Sequence, residues 1–338
     1  MDQSDPLSIV LLQDDVWDSL TSDERRTWHL VSRMWRDGCV QHLRRVTALD
    51  LTTATVDRLS DECAQKIVRY MPNLTHLNAG SIQPANNFYS LVGGGGSRIT
   101  SLVNVRLRSR ADADVVAIAS MAATLRELKF TPWEYARAWD MPVVDLSPVK
   151  ALVELKSLSL PYCDTHDVCG ENDMNLDRPE CDWLQALSHL EQLDCGMALR
   201  PGNVAMLQTL TLTHLSVECI DGPWLPRGNG DYRYCMPCLK GLRIKGGVYD
   251  ADALSMLQHV DMPSLETFEC GFYVIMDLDS DEDEDEDEED AVRTMIDVMM
   301  TVGIPTDVKI AFAPDWFVPA LASRAAEEGL TNEISELD

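Results

Sequence analysis

The sequence predicts an α/β solenoid, in which helix–strand units stack side by side and their strands form one curved parallel sheet. Three observations carry this expectation. Nine times between Val46 and Cys270 the chain repeats one phrase: apolar, two variable residues, apolar, one variable residue, apolar. Apolar residues at helical spacing precede several of the copies. Successive copies begin 22 to 35 residues apart, mostly within the roughly 20–29 residues of a single repeat unit. A unit of that size cannot bury its apolar face alone, so it must stack on its neighbours.

Val46-Leu49-Leu51, Leu74-Leu77-Ala79 and Leu102-Val105-Leu107 open the series. Leu125-Leu128-Phe130, Leu155-Leu158-Leu160 and Leu190-Leu193-Cys195 continue it. Leu212-Leu215-Val217, Leu239-Leu242-Ile244 and Leu265-Phe268-Cys270 close it. Helices are expected from Leu59, Cys63, Ile67 and Met71 around Ser60-Asp61-Glu62, and from Trp183, Leu184 and Leu187. Val204, Leu207 and Leu210 predict another, as do Leu254, Leu257 and Val260 with Asp250 or Asp252 as N-cap. A tenth, degenerate unit is expected as a helix over about 291–301 and a strand through Val308, Ile310 and Phe312. The repeated phrase is the strand core of a leucine-rich repeat, and the helix–turn–strand unit resembles the ribonuclease-inhibitor-like class of that family.

Residues 8–37 break the period. Leu11, Leu12, Val16, Trp17, Leu20, Trp28, Leu30, Val31 and Trp35 predict two or three short amphipathic helices, with Thr21-Ser22-Asp23-Glu24 as a turn and cap. So short a stretch must dock on the solenoid or on a partner. Leu30-Val31-Ser32-Arg33-Met34-Trp35-Arg36-Asp37 resembles the most recognisable segment of an F-box, and Leu12, Val16, Trp17 and Leu20 fall at that family's upstream apolar positions. The chain departs from the family at the start, where Ser8-Ile9-Val10 replaces the usual Leu-Pro and nearby acid; this bears on whether an adaptor still binds. The resemblance implies a substrate receptor of an SCF-type cullin–RING ubiquitin ligase. Leu12, Val16, Trp17, Leu20, Trp28, Val31 and Trp35 would then meet a Skp-type adaptor, while the repeats select a target protein. The same residues also suit a cap over the first repeat's apolar end, which every solenoid needs.

Composition narrows the function classes. The net charge is −28, and removing the twelve acids of residues 277–290 still leaves −16. Direct nucleic-acid binding, which needs a basic field, is therefore not expected. The chain has no 18-residue apolar run and no signal-peptide pattern, so no membrane partner is expected. Ten cysteines scattered through repeat positions read as reduced thiols in the cytoplasm or nucleus. The expected layout is a helical unit over 8–45, repeats over 46–276, an acidic disordered insertion over 277–290, and a degenerate last repeat with a helical cap over 291–338.

Function is expected on the strand face and on the loops leaving it. The outward strand positions are Asp50, Asn78, Arg106, Lys129, Ser159, Asp194, Ser216, Arg243 and Glu269. Arg106, Arg108, Arg126 and Lys129 form one basic group, and Lys240, Arg243 and Lys245 another. Such groups recognise acidic or phosphorylated segments; they also occur as ordinary solvated charge, or as a docking place for the chain's own acidic loop. Trp133, Tyr135, Trp139, Trp224, Tyr232 and Tyr234 are the aromatic anchors expected on the long connections that follow strands. Ser280, followed by Asp281-Glu282-Asp283, is placed as an acidophilic-kinase target would be.

No nucleophile, phosphate-loop or dinucleotide signature is present, so no catalytic residue and no cofactor are expected. A structural zinc needs four converging ligands. Cys235 and Cys238 lack two obvious partners, and Cys163, His166, Cys169 and Cys181 are irregularly spaced. The resulting expectation is a non-catalytic adaptor. The alternative is an acidic leucine-rich-repeat scaffold that binds basic proteins, its N-terminal helices serving only as a cap.

Overall fold

The computed structural model describes residues 40–52, 58–80, 82–94, 97–107, 112–131, 145–160, 179–195, 198–199, 201–217, 219–220, 234–248, 256–272, 293, 295–296, 300, 307–311, 317–330 and 333–336. The chain folds as a leucine-rich-repeat solenoid. Eleven strands form one sheet in chain order, every neighbouring pair parallel. They are β1 (Ala48–Asp50), β2 (His76–Asn78), β3 (Ser101–Val105), β4 (Glu127–Phe130), β5 (Ser157–Ser159) and β6 (Gln192–Asp194). β7 (His214–Val217), β8 (Gly241–Val248), β9 (Thr267–Phe272), β10 (Asp307–Ala311) and β11 (Glu333–Glu336) complete it.

The middle apolar residue of each phrase sets the register. Leu49, Leu77, Leu102, Leu128, Leu158, Leu193, Leu215, Leu242 and Phe268 lie opposite one another from strand to strand. Val308 and Ile334 extend the same row beyond the acidic run. A one-residue slip would turn this whole row to the solvent face, so burial fixes the register. The backbone adds a clamp. The carbonyl just before each strand accepts two N–H groups from the next repeat, from Thr47 (Thr75 at 2.8 Å, His76 at 3.0 Å) through to Lys240 (Glu266 at 2.7 Å, Thr267 at 2.9 Å).

The third repeat is phased differently from the sequence reading. Leu102 is the middle residue of its phrase, and the first is Ile99, which is buried. Val105 pairs with Phe130 across a register shift, so β3 holds one extra residue as a bulge. Asn104 accommodates it at φ 53°, and its amide donates to Asn78 Oδ1 at 2.9 Å. Asparagine tolerates that left-handed geometry better than most residues. Ile99, Leu102 and Val105 are spaced by three, so the apolar pattern alone admitted two phases.

Behind the sheet lies a helical layer. α1 (Asp61–Tyr70) starts at Ser60, whose Oγ accepts from Cys63 N–H at 3.1 Å, and it buries Ala64 and Ile67. α2 (Phe88–Gly93) packs on α1, and α3 (Asp112–Ala119) packs on α2. Shorter 3₁₀ segments follow at Ser147–Ala151 and Pro179–Ala186, then α4 (Pro201–Leu207) and a 3₁₀ turn at Met256–His259. Two of the helices expected from periodicity, at Trp183–Leu187 and Leu254–Val260, are thus 3₁₀ turns. At about 2.0 Å rise per residue, a 3₁₀ turn crosses the back of the sheet in fewer residues than an α-helix. The last unit adds α5 (Phe317–Glu327) and then β11.

A single apolar cluster runs from Leu43 to Ala325 between sheet and helices. Cys195 and Cys270 sit in it at third apolar positions, and burial pushes both thiols up, Cys270 to about 12. Among the described residues no helix is long and apolar enough to cross a membrane.

Candidate functional site

Alternation along a strand sends the residues on either side of each buried middle leucine to the opposite face of the sheet. That face is not covered by the helices. On β4–β9 it forms a groove of about 290 Å³, with Ser159, Asp194, Ser216 and Gly241 among the residues lining it. Two rows of side chains meet there. One is the expected row, Lys129, Ser159, Asp194, Ser216, Arg243 and Glu269, placed in register by the strand pairing. The other precedes each leucine: Glu127, Ser157, Gln192, His214, Gly241 and Thr267. Sequence reasoning passed over this second row, although the same alternation applied one residue earlier would have found it.

Arg106 is not in the outward row. The bulge in β3 places Val103 opposite Asn78, and Arg106 follows the strand as an exposed residue. Three other expected cations, Lys129, Arg243 and Lys245, are on the face but carry carboxylate partners. Lys129 Nζ is 2.7 Å from Glu127 Oε1, and Arg243 Nε is 3.4 Å from Glu269 Oε2. Lys245 Nζ donates to Asp194 Oδ1 at 2.5 Å, reaching across β7 from β8 to β6. Lys309 lies 3.9 Å from the other oxygen of Glu269. Lys129 and Glu127 are two residues apart on one strand, but the other pairs join residues 26 to 51 positions apart that only the register brings together, so single-strand inspection could not reveal them.

Local electrostatics follow from the contacts. Burial pushes the Glu127 carboxyl up, but hydrogen bonds from Lys129 and from Ser101 Oγ (2.5 Å to Oε2) outweigh it and hold the group below its usual range. At the start of the sheet, Thr52 N–H (2.8 Å) and Thr52 Oγ (2.7 Å) both donate to Asp50 Oδ1 and hold that carboxyl low. Further exposed pairs link neighbouring repeats: Lys156 with Glu191 and Lys240 with Glu266, each at 2.7 Å. Ser216 Oγ is buried and has no hydrogen-bond partner among the described residues.

Gly241 is closely flanked by the side chains of the two neighbouring strands. A Cβ there would lie 2.8 Å from His214 Cδ2 and 3.1 Å from Thr267 Oγ1, so a side chain would collide with both neighbours.

Several expected site residues lie outside the described residues. These are Leu12, Val16, Trp17, Leu20, Trp28, Val31 and Trp35, then Arg108, Trp133, Tyr135, Trp139, Trp224, Tyr232 and Ser280. Cys163, His166 and Cys169 do too, as do Asp250 and Asp252. Cys235 and Cys238 are exposed free thiols. Among the described residues no three His, Cys, Asp or Glu side chains are grouped to hold a metal ion. The long connections expected at 132–144, 161–178 and 273–292 lie outside the described residues.

No family model matches this chain, and no curated protein matches it. Among solved structures, it is similar to an internalin C2 from Listeria monocytogenes at 18% identity and a TM-score of 0.37, over 68% of this chain and 83% of that one. It is also similar to TLR13 in a complex with ssRNA13, at 13% identity and a TM-score of 0.32. That match spans 67% of this chain but only 34% of TLR13.

Proposed function

We propose that this chain is a non-catalytic binding protein that holds a protein partner on its strand face. The observation that carries the reading is the groove on β4–β9: an open surface whose side chains recur at one spacing from strand to strand along a parallel sheet. Repetition of one unit is how solenoids build extended recognition surfaces.

The finer reading is a substrate-recognition adaptor of an SCF-type ubiquitin ligase, working in the cytoplasm or nucleus. Its support is the F-box-like phrase Leu30–Asp37 followed directly by repeats. In this reading Trp17 and Leu20 meet the Skp-type adaptor, the cullin–RING core follows it, and the strand face takes the target. Co-precipitation tests it: the intact chain captures a Skp-type adaptor, and Trp17→Ala with Leu20→Asp abolishes capture while the circular-dichroism spectrum stays unchanged. Failure of the intact chain to capture any such adaptor refutes the ligase role.

A second reading, an acidic scaffold for basic proteins, is favoured by the charge of −28. Deleting 277–290 separates the two. A scaffold that works through the acidic run loses its partner, whereas an adaptor keeps both adaptor and target.

A further inference from the structure

Basic residues on the strand face suggested an acidic ligand, but their pairing argues for the opposite sign. An acidic or phosphorylated segment approaching Lys129, Arg243 or Lys245 would meet a cation already paired with Glu127, Glu269 or Asp194. Whether it shares the cation's remaining N–H donors or takes the carboxylate's place, a tethered carboxylate stays beside the ligand's own charge. The groove holds as many carboxylates as cations among these six residues, so it offers an anion no net attraction.

A cation meets a different situation. Asp194 engages Lys245 through Oδ1, and Oδ2 has no partner among the described residues. A carboxylate has about four lone-pair positions, so Asp194 can accept a second cation without releasing the first. Ser216 Oγ, buried and unpartnered, lines the same groove, and Ser159 lies on the strand beside Asp194. The groove's 290 Å³ suits one or two side chains rather than a whole cofactor. Beyond the groove, the net charge of −28 draws cations toward the surface during encounter, most strongly at low salt.

Building on the reading that the strand face is the partner surface, we infer that the groove over β5–β8 takes a lysine- or arginine-rich extended segment of a protein partner, with one cationic side chain seated at Asp194. Lys245 then acts as an internal competitor that holds the carboxylate in place and limits how tightly the incoming cation binds.

The test uses the full chain and a short fluorescent peptide of alternating arginine and glycine, with a glutamate–glycine peptide as counterpart, followed by anisotropy at low and near-physiological salt. The arginine peptide binds and the glutamate peptide does not. Asp194→Asn weakens binding about 10-fold, the loss expected for one hydrogen bond to a charged group. Lys245→Met strengthens it several-fold, because the competing ammonium is gone while the aliphatic stem remains. A variant that merely damages the fold weakens binding, so opposite effects of the two changes identify the site. Arginine-peptide binding that ignores both variants, but disappears when the acids of 281–290 become amides, places the site on the acidic run and overturns the inference. Preferential capture of the glutamate peptide, lost in Arg243→Met, also overturns it while leaving the strand face as the partner surface. If neither peptide binds and target capture is insensitive to Asp194→Asn, the partner-surface reading itself fails.

Discussion

Replacing two glycines by alanine tests how closely the repeats are stacked. Gly80 and Gly329 both have left-handed backbones, at φ 65° and 76°. An alanine at either costs about 1–2 kcal/mol for that geometry. Their surroundings differ completely. A Cβ on Gly80 would lie 2.7 Å from Leu51 C and O and 2.8 Å from Thr52 N, whereas one on Gly329 meets nothing within 4 Å. The atoms facing Gly80 are backbone, so no flexible side chain can yield, and overpacking adds about 1–3 kcal/mol. Gly80→Ala is therefore expected to cost about 2–5 kcal/mol and Gly329→Ala about 1–2 kcal/mol. Urea denaturation gives the totals. Because a solenoid's stability is close to a sum over neighbouring repeats, hydrogen exchange locates the damage, with faster exchange in peptides spanning 46–52 and 74–80 only for Gly80→Ala. Asparagine, which tolerates left-handed geometry, should rescue position 329 and fail at position 80. Equal losses at the two sites would refute the close approach of Gly80 to the preceding repeat.

Three further outcomes rest on thiol exposure and on titrating groups. Cys235 and Cys238 react with iodoacetamide in the native protein, whereas Cys195 and Cys270 react only after unfolding, as mass spectrometry of labelled peptides will show. Since the buried Cys270 thiol stays protonated to about pH 12, the unfolded chain loses that proton first as pH rises past its ordinary value near 9. Stability then falls with pH over that window by about 1.4 kcal/mol per unit, and Cys270→Ala removes this contribution from the slope of the denaturation midpoint. Glu127 behaves in the opposite direction. Its folded carboxyl lies below 4.5, so its stabilisation is present above that pH and is lost as pH falls through the folded value. Glu127→Gln should flatten part of the acid limb of a stability–pH curve while changing little of its shape near neutrality.

The fold was legible because burial leaves a periodic trace. Leu128, Leu158, Leu193 and Leu215 are all nearly inaccessible, and each stands in its phrase where the repeat requires it. Legibility failed where periodicity was ambiguous or absent. Ile99, Leu102 and Val105 are equally spaced, so only cross-strand pairing with Leu77 and Leu128 could choose the phase. The 3₁₀ segment at Pro179–Ala186 keeps the apolar positions Trp183 and Leu184 buried. Sequence spacing read it as a helix without distinguishing its pitch. β11 carries only Ile334 as an apolar residue on the shared row, too little for a pattern.

The site was legible as a surface but not as a charge distribution. Alternation identified Asp194, Ser216, Arg243 and Glu269 as outward residues. It could not say that Lys245 crosses an intervening strand to reach Asp194, because that depends on register accumulated over two repeats. The distinction changes the chemistry. Counted along the chain, Lys240, Arg243 and Lys245 are a cluster of three positive charges; in the fold, each holds an acid from another repeat, Glu266 and Glu269 one repeat on and Asp194 two repeats back. A linear count of charge therefore misstates what a parallel sheet of repeats presents, because the relevant neighbours are one or two repeats away. What such a face presents to a partner is the remainder after these lateral pairs form, and here, among the described residues, the remainder is the second carboxylate oxygen of Asp194 and the unpaired hydroxyl of Ser216.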